Sequence, residues 1–133
     1  LNGQYVSGWY ESYLQGNIHG FLALRLSAGS EFARQQQYLL AGPWNHIPWD
    51  ERIGPLRMGS QAPINTDLLL LRWFDHWLKG SPEFATEPRI RHIALNDNQW
   101  HTAGEWPLAA DYSLFLQSGG RATSSKGDGM LPS

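Results

Sequence analysis

The chain has 133 residues, 41% hydrophobic and 17% charged, with ten basic and twelve acidic side chains and no cysteine. That composition suits a core-forming chain and excludes a disulfide scaffold and thiol chemistry. A net charge of -2 without blocks of like charge leaves nothing to draw it to nucleic acid or an anionic membrane, and no run approaches the roughly 20 apolar residues that span a bilayer.

Gln4-Tyr5-Val6-Ser7 reads as a short strand halted by Gly8. From Ser12 to about Leu26, Leu14, Ile18, Phe21 and Leu22 recur at helical spacing and place an apolar stripe on one face, although Gly16 and Gly20 lower the helix propensity. Gly29-Ser30 ends that segment. Gln37 to Ala41 is a compact apolar run bounded by Gly42-Pro43, as expected of a buried strand, so residues 4–41 read as a βαβ unit.

Residues 47–64 carry Pro48, Gly54, Pro55, Gly59 and Pro63 and read as a long irregular loop. The clearest helix follows, capped by Asn65 or Thr66 and stopped by Gly80. Leu70, Trp73, Phe74, Trp77 and Leu78 form its expected buried face, and Asp75 and Lys79 an i,i+4 pair. Ser81 to Pro88, with two prolines, reads as a linker. Beyond it, Ile90 to Leu95 and Tyr112 to Gln117 are strand-like, with turn signals at Asn96-Asp97-Asn98 and Gly119-Gly120. These pieces read as the opening of an all-β unit that does not close on itself within the chain. Ser124 to Gly129 is turn-rich.

Two glycine-bounded strings carry the chemistry. Gly8-Trp9-Tyr10-Glu11 ends the first strand, and Gly42-Pro43-Trp44-Asn45-His46 follows the second, 35 residues later. A carboxylate followed by an imidazole, each just past a strand, is the order expected late in an α/β-hydrolase chain, where catalytic groups gather at strand ends. No Gly-x-Ser-x-Gly occurs in the 133 residues, so the chain offers two members of a serine-hydrolase triad without a recognisable nucleophile. Taken alone, a single histidine is more often structural. Among His19, His76, His92 and His101 no pair has the close i,i+4 spacing with acidic support that a zinc site needs, so no metal and no cofactor is expected. Seven tryptophans read first as packing groups; Trp9, Tyr10 and Trp44 flank the candidate residues and have pocket lining as a second reading.

Val6 to Glu11, Leu39 to His46, Arg72 to Gly80, and Asn98-Gln99-Trp100 with Glu105-Trp106-Pro107 together resemble the cocaine esterase and X-Pro dipeptidyl-peptidase family of serine hydrolases, which also holds α-amino-acid ester hydrolases and glutaryl cephalosporin acylases. The likeness runs over about residues 4–120. It implies an α/β fold: residues 1–80 the last βαβ portion of an α/β-hydrolase sheet, 81–88 a linker, and 89–133 the start of a C-terminal jelly-roll β-sandwich. By position, the resemblance puts the triad acid on Glu11 and the triad histidine on His46, with the nucleophilic serine, oxyanion hole and acyl pocket upstream.

The resembled family has aspartate where this chain has Glu11. Either carboxylate serves in unrelated hydrolases, and Asp50 is the substitute acid if Glu11 is not used. The expected activity is cleavage of a small ester or amide, or a short peptide, through an acyl-enzyme; the 133 residues alone are expected to be inactive. The alternative is a noncatalytic binding or assembly module in which Glu11 and His46 are relics. The absence of an initial Met suggests a processed product or a piece of a longer polypeptide, and an incomplete sheet leaves a strand edge to self-association or to a preceding segment.

Overall fold

A computed structural model describes residues 2–47, 49–107, 117–122 and 126–130. Its main sheet runs, in spatial order, Gly3–Gly8, Gln37–Gly42, Ile90–Ala94 and Gln99–Ala103. β1 (Gly3–Gly8) and β2 (Gln37–Gly42) are parallel, with Gly8 opposite Gly42. Between them run α1 (Leu14–Ser27) and the one-turn α2 (Glu31–Gln35), whose Ser30 hydroxyl accepts from the Ala33 amide at 3.1 Å. α2 has no counterpart among the elements expected from the sequence, because a five-residue helix is too short to show a period.

β2 is buried along its whole length, and its alternation feeds two layers. Leu39 meets Phe21 of α1 and Ile90, with Tyr5, Ile18 and Leu22 packed around them. On the other side Tyr38 and Leu40 join Trp44, Leu69, Trp73 and Phe84. The sheet therefore lies between α1 and α3 (Thr66–Lys79). Asn65 caps α3 through the Leu68 amide at 2.9 Å, and Gly80 ends it at φ 73°, a left-handed conformation that glycine adopts without a Cβ clash.

The buried stripe of α3 is rotated from the expected one. Leu69 and Trp73 are buried, Trp77 packs beside them, and Leu70, Phe74 and Leu78 are 49%, 48% and 76% exposed. The apolar run Leu68 to Leu71 permits more than one stripe. The rings of Tyr38 and Phe84, 5.5 and 5.2 Å from Trp73, mark the side that is covered. The Asp75–Lys79 pair is present at 2.6 Å.

The expected loop contains a small hairpin, β3 (Arg52–Ile53) with β4 (Leu56–Arg57), turning at Gly54 with φ 55°. The segment read as a linker holds a 3-10 turn, Pro82–Phe84, whose Phe84 is 1% exposed in the core. β5 (Ile90–Ala94) then adds to β2 in parallel and β6 (Gln99–Ala103) pairs antiparallel with β5. Residues 90–103 thus continue the same sheet as β1 and β2, and the architecture is mixed α/β with a mostly parallel sheet. Of the anticipated strand Tyr112 to Gln117, only Gln117 belongs to the described residues. It forms an isolated antiparallel bridge with Met130. No helix among the described residues is long and apolar enough to cross a membrane.

Candidate functional site

β1 and β2 end side by side, and their chain continuations remain tied together. The Trp9 amide donates to Gly42 O at 2.9 Å and the Tyr10 amide to Trp44 O at 3.0 Å. Both glycines are required by close approach: a Cβ on Gly8 would lie 2.1 Å from the Trp44 carbonyl oxygen, and one on Gly42 would lie 2.3 Å from the Trp44 ring. Trp44 is itself fully buried, with its indole N–H donating to Ala62 O at 2.7 Å. This Trp44 contact anchors the loop that carries His46.

The two candidate residues come together at this corner. Glu11 Oε2 lies 2.8 Å from His46 Nδ1. Their exposures differ sharply: the His46 side chain is 67% exposed and that of Glu11 only 4%. The Glu11 amide closes a turn onto Gly8 O at 3.3 Å, which sends the side chain back toward the strand end. There Oε1 accepts from the Gly8 amide at 3.0 Å and from the Ser7 hydroxyl, while Asn17 Nδ2 donates to Ser7 Oγ at 3.0 Å.

Burial, the largest single influence on Glu11, pushes its carboxyl upward. The hydrogen bonds from Ser7, His46 and Gly8, with the positive charge of a protonated His46, together outweigh it and hold the group below the ordinary carboxylate range. Glu11 is therefore an anion at neutral pH. An Nδ1–H donated to that anion leaves Nε2 with its lone pair, able to accept a proton from a hydroxyl.

Asp50, the alternative acid, accepts instead from the adjacent Glu51 amide at 2.6 Å. Trp9 reaches away, donating to Ile93 O at 2.8 Å, and Trp44 belongs to the core. Tyr10 is 41% exposed, and the Tyr13 ring stands 5.0 Å from that of His46. Tyr13, Ser7 and Asn17 were not singled out in the sequence. Ser7 and Asn17 are common polar residues ten positions apart, and no motif spacing marks them. Among the described residues no cluster of three or more His, Asp or Glu side chains is grouped to hold a metal.

No family model matches the chain. Two proteins provisionally named as serine esterases, one from Mycobacterium bovis and one from Mycobacterium tuberculosis, are each 33% identical to it over 118 residues, which is 86% of this chain and 17% of the relative. The chain thus spans about a sixth of the length of the curated relatives it matches. Among solved structures, an aminopeptidase from a marine-sediment Thaumarchaeota archaeon superimposes with a TM-score of 0.66 at 22% identity, over 91% of this chain and 20% of that one. This likeness concerns the fold.

Proposed function

We propose that this chain is the later portion of a serine hydrolase acting on ester or amide bonds, in which His46 is the general base and Glu11 the acid that orients it. The observation that carries the reading is the 2.8 Å contact between a withdrawn, hydrogen-bonded carboxylate and Nδ1 of an exposed imidazole, at the adjoining ends of two parallel strands. The names of the mycobacterial relatives support the same chemistry, and ligand sites of α/β sheets gather at this end of the strands.

In this mechanism a serine hydroxyl elsewhere on the full-length polypeptide gives its proton to His46 Nε2 as its oxygen attacks the carbonyl carbon. The tetrahedral adduct collapses, and Nε2–H protonates the departing alcohol or amine. Water then repeats the sequence on the acyl-enzyme and releases the acid. Glu11 keeps its negative charge throughout, holding the Nδ1–H tautomer and stabilising the imidazolium. On the resemblance to the cocaine esterase and X-Pro dipeptidyl-peptidase family, the substrates to try are aryl esters, α-amino-acid esters, X-Pro peptides and β-lactam side-chain acyl groups.

The test is hydrolysis of p-nitrophenyl acetate by the full-length polypeptide. We expect turnover that phenylmethylsulfonyl fluoride abolishes and that His46→Ala lowers by roughly 10⁴-fold or more. Hydrolysis indifferent to His46→Ala would remove the assignment, and a full-length polypeptide without esterase or amidase activity would favour a noncatalytic module.

A further inference from the structure

Glutamate at position 11 is one methylene longer than the aspartate of the resembled family, and extra length brings extra rotamers. A triad acid must hold one oxygen still against the imidazole. What removes that freedom here is the treatment of the other oxygen. Oε1 is engaged by two donors, the Gly8 amide and the Ser7 hydroxyl, so that only Oε2 is left to His46. Rotation of the carboxylate about its own axis would break these contacts together.

The direction of each bond follows from what the groups can do. A serine hydroxyl has one proton to give. Asn17 Nδ2 donates to Ser7 Oγ, which frees that proton for Glu11. With the amide reversed, its carbonyl and Glu11 would compete for the same proton and one acceptor would go without. Ser7 is 1% exposed, in register with Ala41 on β2, so its Cβ is fixed by the sheet. Asn17 lies in the first turn of α1, its own amide bonded to Tyr13 O at 2.9 Å. The chain Asn17 to Ser7 to Glu11 to His46 therefore joins α1, β1, the turn after β1 and the loop after β2.

We infer that Ser7, oriented by Asn17, is the positioning residue that lets a glutamate act as the orienting acid of this site, by occupying Oε1 and leaving Oε2 directed at His46 Nδ1. This assignment rests on the proposed hydrolase reading, but its geometry is testable without turnover. In the full-length polypeptide, Ser7→Ala is expected to lower kcat for p-nitrophenyl acetate roughly tenfold, the scale of a lost hydrogen bond to a charged group, with KM unchanged. Asn17→Ala, at a partly exposed helix position that alanine suits, is expected to give a smaller fall in the same direction and serves if Ser7→Ala does not fold.

A double-mutant cycle separates positioning from general damage. In a Glu11→Gln background both substitutions should have almost no further effect, because they act only through that carboxylate. Ring ¹⁵N shifts of His46 should report the Nδ1–H tautomer in the native protein and a mixture of tautomers in Ser7→Ala. Equal losses of kcat with and without Glu11, or a His46 tautomer untouched by both Ser7→Ala and Asn17→Ala, would overturn the inference. If the full-length polypeptide hydrolyses no ester, the proposed function falls, while the tautomer measurement still decides the role of Ser7.

Discussion

Among the described residues, two histidine–carboxylate pairs of nearly equal length differ in how they are built. Glu11 meets His46 at 2.8 Å and Asp97 meets His101 at 2.9 Å. The second pair forms within the β5–β6 hairpin, four residues apart, with side chains 45% and 41% exposed. Asp97 is held below its usual carboxylate range mainly by the Gln99 amide and then by His101. His101 offers its Nε2 to the acid, and its ring stacks at 5.7 Å on that of His92. The first pair spans 35 residues, engages Nδ1 and withdraws the acid behind Ser7 and Gly8. Distance alone does not separate them; the choice of ring nitrogen, the burial of the acid and the support for its second oxygen do.

The sharpest way to break that contrast is to remove one acid at a time from the full-length polypeptide. Glu11→Gln is expected to cost roughly 10³ to 10⁴-fold in kcat for p-nitrophenyl acetate, because the amide favours the wrong imidazole tautomer. Asp97→Asn should leave kcat within about twofold, as an exposed pair contributes little. Comparable losses in the two variants would erase the distinction drawn between the pairs.

Glycine substitutions test the rigidity of the two regions. A Cβ on Gly8 meets backbone at 2.1 Å, whereas one on Gly104, just past β6, meets nothing within 4 Å. Gly8→Ala is expected to lower unfolding free energy by about 3 kcal/mol through overpacking, and Gly104→Ala to change it by less than about 0.5 kcal/mol. Urea midpoints followed by tryptophan fluorescence measure both. A tolerant Gly8 would mean that the corner yields and does not fix the His46 loop.

The smallest effect expected is a difference in pH response. Burial pushes the His92 imidazole below its ordinary value of 6.5, the neighbouring His101 adds to the shift, and Asp97 opposes it. The unfolded chain then binds the proton at higher pH than the folded one, so this contribution to stability is complete above about pH 6.5 and is lost as pH falls toward the depressed value. Glu11 behaves in the same sense at lower pH. Its stabilising contribution is present above its ordinary value of 4.5 and declines as acid reaches its lowered folded value. His92→Phe should flatten urea midpoints against pH just below 6.5 and Glu11→Gln should flatten them below 4.5. A slope moved in the wrong window by either variant would misplace the group responsible.

Much of the local structure was legible in the sequence because local rules produce it. The apolar run of β2, the stripe Ile18, Phe21 and Leu22 on α1, and the Asn65 and Gly80 boundaries of α3 all follow from periodicity and capping. Gly8 and Gly42 stood out as punctuation. Their reason, the close approach of Trp44 to both strand ends, needed the folded chain. The strand-like pieces from Arg89 onward read as the opening of a separate β unit, since strand-like patterning does not say which sheet a strand joins. The pairing of Leu39 with Ile90 decides that.

The sequence by itself determined a βαβ unit with a carboxylate and an imidazole just past its two strands, because strand and helix periods and glycine stops are properties of neighbouring residues. Only the tertiary structure decided that Glu11 and His46 touch, that the touching nitrogen is Nδ1, and that the Gly8 amide and a Ser7 hydroxyl backed by Asn17 hold the other carboxylate oxygen. It also chose the covered face of α3. Those outcomes depend on register between β1 and β2 and on which side chains a buried corner can accommodate. Such constraints act between residues far apart in the chain and leave no period behind.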